Sequence, residues 1–152
     1  MVSKEDLENW IVETLSKPNP IFNNLPPCPY AKKAWLDGKV LICDDNWKTL
    51  DFPLLLKGTY DLYIIPLENT INTKEFDDLV IKIRKYVGNE YIVLDDHPEN
   101  KEEVENFKLN FGKCPLIFVQ ARKKLSEARE WLETKGYYKN WKNDYKEDVT
   151  KL

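Results

Sequence analysis

The chain has 152 residues, of which 32% are charged, 42% apolar and 12% aromatic, a composition that supports a packed core and excludes a disordered polymer. A chain of this length buries about 68–70% of its extended surface on folding, so neither disulfides nor a structural metal is needed for stability. Its net charge of −3 argues against general attraction to a phosphate backbone and makes a nucleic-acid partner an unfavoured reading.

Taken in order, residues 4–16 place Leu7, Trp10, Ile11, Thr14 and Leu15 on one helical face, with Ser3 and Asp6 spaced as a capping box. Lys17-Pro-Asn-Pro20 ends that helix, and a proline-stiffened connector leads to Cys28-Pro-Tyr-Ala-Lys-Lys-Ala-Trp-Leu36. The latter reads as a short helix with Pro29 in its first turn and Gly38 as its stop. Strands are predicted at Lys39–Asp44 and Tyr60–Pro66, joined by a long connection over residues 45–59. The strongest helix pattern covers 73–87, with Phe76, Leu79, Val80, Ile83 and Val87 inward, Thr73 as cap and Gly88 as terminator.

A third strand is predicted at Tyr91–Asp95 and a short helix at 101–110, capped by Asn100, with Val104 and Phe107 inward. Cys114–Gln120 is the fourth strand, and Pro115 fits only its start or an edge. Arg122–Lys135 is the last long helix, packing through Leu125, Ala128, Trp131 and Leu132. The element order α-α-β-β-α-β-α-β-α predicts an α/β or α+β fold: one domain over residues 1–152, built as a two-layer sandwich. Its mixed sheet has about four strands, and the second and third strands are joined by a parallel crossover.

Three acidic groups follow apolar strands: Asp44-Asp45, Glu68 and Asp95-Asp96-His97. If those strands are parallel, the carboxylates and the only histidine share the rim at which open α/β sheets bind ligands. Asp44, Asp45, Asp96 and His97 have the donor types for a divalent ion, and Asp95, Asp96 and His97 those for acid–base chemistry. The bland alternative is a capped, solvated turn. Cys28 is the other candidate for a catalytic role. A thiol at a helix start, with Lys32 and Lys33 one turn on, is placed for a lowered pKa; the alternative is a small apolar wall residue.

Cys28-Pro-Tyr-Ala looks like the glutaredoxin Cys-Pro-Tyr-Cys, but Ala31 replaces the resolving cysteine and no strand precedes it, which excludes a dithiol redox enzyme. Leu25-Pro-Pro-Cys-Pro-Tyr-Ala-Lys32, with the later His97-Pro98, resembles uncharacterised bacterial proteins that carry a Leu-Cys-Pro-Phe-Ala-Lys segment and a later His-Pro. Pro27 and Tyr30 depart from that pattern. The resemblance carries no activity and implies only that Cys28 and His97 belong together.

Residues 137–152 form an aromatic and lysine-rich tail, with Tyr137, Trp141 and Tyr145 at helical spacing among Lys139, Lys142 and Lys146. It reads either as a stripe that folds back on the domain or joins a second copy, or as a stacking surface for single-stranded nucleic acid. Cys28, Cys43 and Cys114 lack paired spacing and read as reduced thiols. With an acidic N-terminus and no long apolar run, the expectation is a cytoplasmic protein without a membrane span. Abundant Lys, Asn, Ile and Tyr beside few Gly and Ala suggests an AT-rich, viral genome. Three functions follow as expectations: an enzyme with a Cys/His/Asp site at strand ends, an interaction module, and a single-stranded nucleic-acid binder.

Overall fold

The computed structural model describes residues 3–43, 47–49, 51, 56–57, 59–99 and 103–150. α1 (Lys4–Trp10) continues into a wider π-helical turn over Ile11–Leu15. The Ser3–Asp6 capping box forms as its spacing predicts, each side chain accepting from the other residue's backbone N–H. α2 (Pro29–Leu36) leads through Gly38, at φ 67°, into β1 (Val40–Ile42). Then come β2 (Leu62–Pro66), α3 (Thr73–Val87) and β3 (Tyr91–Asp96). β4 (Glu103–Val104) and β5 (Phe107–Lys108) precede β6 (Leu116–Ala121), α4 (Arg122–Thr134) and α5 (Asn143–Thr150).

The fold is α+β, with a mixed four-stranded sheet in the order β1-β2-β6-β3. β1 pairs parallel with β2, and β6 runs antiparallel to both β2 and β3. β1, β2 and β3 therefore all point the same way. β2 and β3 are parallel as expected, but β6 lies between them. The central strands carry the most continuous apolar runs, since a strand with two neighbours and two covered faces has no solvated side. Ile64 and Ile65 of β2 and Leu116 and Ile117 of β6 are wholly buried. Pro115 stands just before β6, where its missing N–H removes no ladder bond, and its carbonyl accepts from the Leu67 N–H at 2.9 Å.

Strand alternation divides the core in two. Leu62, Ile64, Ile92 and Leu116 face one way, against Leu7, Ile11, Ala31 and Leu125 from α1, its π turn, α2 and α4. Tyr63, Ile65, Val93 and Val119 face the other way, against Phe76, Val80 and Ile83 of α3. Helices thus lie on both faces of the sheet. Each wholly buried aliphatic or aromatic side chain contributes roughly 1.5–3 kcal/mol, so this double covering supplies most of the stabilisation. At the outer edge of β3, the Arg84 guanidinium donates to the Val93 carbonyl at 2.9 Å from Nη2, which blocks strand addition there.

Three local expectations are corrected. Residues 103–108 form a hairpin rather than a helix: Glu105 and Asn106 take φ 49° and 68°, as a two-residue turn requires, and Val104 pairs with Phe107. The cap of α3 is Asn72, whose Oδ1 accepts from the Glu75 N–H at 2.8 Å; Thr73 is its first helical residue. Trp131 is 49% exposed, with the Lys135 ammonium 5.7 Å from its ring centroid, so Leu125 and Leu132 carry the inner face of α4.

Candidate functional site

Because β1, β2 and β3 are parallel, their C-terminal ends share one rim, and Glu68, Asp95, Asp96 and His97 lie along it. The side chains of Glu68, Asp96 and His97 are nonetheless engaged separately. Glu68 Oε2 accepts from Trp47 Nε1 at 2.6 Å. Asp96 is 5% exposed; its Oδ1 accepts from Asn110 Nδ2 at 2.7 Å and its Oδ2 from the Phe111 N–H at 2.9 Å. This carboxylate ties the segment after the hairpin to the end of β3. Burial raises its pKa, and the bonds from Phe111 and Asn110 only partly offset that.

His97 stands on the other side of the sheet. Its ring meets Phe76 edge-on at 5.4 Å, and its Nδ1 accepts from the Glu99 N–H at 3.2 Å. Cys28 packs against the opposite core, so the structure does not bring Cys28 and His97 together. Among the described residues no group of three or more His, Cys, Asp or Glu side chains is arranged to hold a metal ion. Asp44 and Asp45 lie outside the described residues.

Cys28 occupies the cap position of α2, as its sequence context predicts, but its surroundings differ from that expectation. Burial pushes the thiol above its ordinary range, and the Ala31 N–H, the Arg129 guanidinium and the Tyr30 N–H pull it down less strongly. Lys33 instead meets Asp37 at 2.9 Å on the solvent side. Tyr30, in the first turn of α2, donates from its hydroxyl to the Asp61 carbonyl at 2.7 Å, beside the beginning of β2.

What Cys28 does line is a cavity of about 250 Å³ between the sheet and the helices above it. Leu94, Phe118 and Gln120 contribute from the strands, and Trp10, Cys28 and Trp141 from the overlying elements. The tail closes one side. Its Tyr137 hydroxyl donates to the Pro27 carbonyl, while Tyr137, Tyr138 and Trp141 pack on Phe22 and Leu132. Asp95, Asp96, Arg84 and Arg129 also reach the lining. Burial disfavours the phenolate forms: it pushes Tyr138 up to about 12 and raises Tyr30 and Tyr137 as well.

Among the described residues, the buried polar atoms without a hydrogen bond include Trp10 Nε1, Gln120 Oε1 and Trp141 Nε1. All three residues line this cavity. Such atoms are few in native proteins, and their concentration around one space is informative. The sequence carries a signal for Gln120. It ends the run Leu-Ile-Phe-Val-Gln and shares a strand face with Leu116 and Phe118, so period-two alternation points an amide at the core. For Trp10 the sequence marks only a place on the apolar helix face. Among the described residues no helix is long and apolar enough to cross a membrane. Searches of protein-family models, curated proteins and solved structures give no significant match to this chain.

Proposed function

We propose that this chain binds a small, mainly apolar molecule in the cavity over the sheet, with Cys28 as part of the wall rather than a nucleophile. The observation that carries this reading is a lined space of about 250 Å³ whose walls are mostly aromatic and aliphatic, and around which three residues each hold a buried polar atom with no hydrogen bond. Ligand sites have this character: apolar walls with a few polar groups that fix orientation. A dry cavity of roughly 150 Å³ suffices for benzene, so the space here suits a ring with a substituent. The other two expectations have less support, because the aromatic stripe they need is folded onto Phe22 and Leu132, and Tyr137 is only 5% exposed.

Toluene is the simplest probe. Binding to the folded state alone raises stability by about 2.7 kcal/mol when the ligand is at a hundred times its Kd, which moves Tm by several degrees. Ala128→Phe, which fills the cavity from α4, should abolish that shift while the circular dichroism spectrum stays unchanged. No Tm shift at saturating toluene, or an equal shift in Ala128→Phe, refutes the proposal.

A further inference from the structure

We infer that the molecule taken into this cavity is an uncharged ring compound carrying a hydroxyl, a phenol by chemical class, with the hydroxyl bound at Gln120. The inference rests on the binding role proposed above. Gln120 is paired in register with Leu62 and Ile92, both nearly fully buried, and is itself 7% exposed with Oε1 making no hydrogen bond. Shielding an amide oxygen from water without a partner is unfavourable, and a donor admitted beside it removes that cost. Phe118, two residues earlier on the same strand face, and its register partner Leu94 are only partly buried and offer an apolar floor beside the amide.

A hydroxyl is the matching group. It donates and accepts at once, as an amide does, and either end of the Gln120 amide can meet it after rotation about the last side-chain torsion. The volume allows a ring and one such substituent. Charge is not selected: the lining carries Arg84 and Arg129 of one sign and Asp95 and Asp96 of the other, and an ion entering an apolar space loses its hydration.

The test is calorimetric titration with phenol, anisole, toluene and benzoate. Phenol should bind wild type at least three- to tenfold more tightly than anisole, whose oxygen cannot donate, as one hydrogen bond to a buried acceptor requires. Gln120→Met, close in volume, should weaken phenol by roughly the same factor and leave toluene unchanged. If Gln120→Met fails to fold, the phenol–anisole comparison in wild type decides alone. Equal binding of phenol and anisole overturns the hydroxyl assignment while leaving a binding cavity. Benzoate binding more tightly than phenol overturns the uncharged class. Binding of none of the four overturns the cavity's binding role itself.

Discussion

Replacing Asp96 by alanine separates a structural carboxylate from a chemical one. The wild-type side chain accepts from the Phe111 N–H at 2.9 Å and from Asn110 Nδ2 at 2.7 Å, and it is 5% exposed. Truncation leaves a buried backbone N–H unmet, which costs about 1–3 kcal/mol. The half-buried Asn110 can turn to water and adds less, and relief from burying a charge subtracts a little. The net expectation is a loss of about 1–3 kcal/mol, measured by urea unfolding monitored by circular dichroism. The pH dependence has a definite sign. Burial raises the folded-state pKa of Asp96, so the folded state prefers the proton. Wild type should therefore gain on Asp96→Ala as pH falls from neutrality through the folded pKa, with the gain complete below the unfolded value of about 3.9. A loss under 0.5 kcal/mol, or an advantage that shrinks on acidification, would refute the reasoning.

Other substitutions probe separate parts of the account. Gly136→Ala should cost about 1–2 kcal/mol in urea unfolding. Its φ is 71°, and a Cβ there would lie 2.9 Å from Asn23 Nδ2, which is itself held by donating to the Lys135 carbonyl. Ser3→Ala removes the cap of α1 and should lower stability by about 1 kcal/mol; an unchanged unfolding midpoint would contradict the capping box. The thiols should react slowly with a disulfide reagent at pH 7 and rapidly in urea, because Cys43 and Cys114 are buried and burial raises the pKa of Cys28 and carries Cys114 to about 11. A single fast thiol in the native protein, lost in Cys28→Ser, would restore a nucleophilic role for Cys28.

The class of fold was legible because its signals are local. Phe76, Val80, Ile83 and Val87 repeat at helical spacing, and the Leu116–Val119 run is apolar on both faces, as a central strand must be. The hairpin resembles a helix in sequence for a definite reason. Val104 and Phe107 share a face at i, i+3 of a helix, yet a two-residue turn between them makes them direct cross-strand partners, so one spacing serves both. At the rim, the parallel direction that the acidic site required is present. The divergence of Asp96 and His97 there follows from alternation: they are consecutive where the strand ends, and consecutive residues project to opposite faces. Asp96 accordingly meets Phe111 in one core and His97 meets Phe76 in the other. The surroundings of Cys28 were beyond local reading. They depend on Tyr137 folding back to Pro27, 110 residues away in the chain, and no periodicity encodes such a contact.

The most direct test of the cavity's role is a toluene titration followed by two-dimensional carbon–proton NMR of the folded protein. Saturable shifts are expected at Leu94, Phe118 and Trp10, which line the space, and none at Val93, Ile117 and Val119 on the opposite face. Resonances of Leu94 and Phe118 that stay fixed up to the solubility limit of toluene, or shifts confined to the α3 side, would contradict that role.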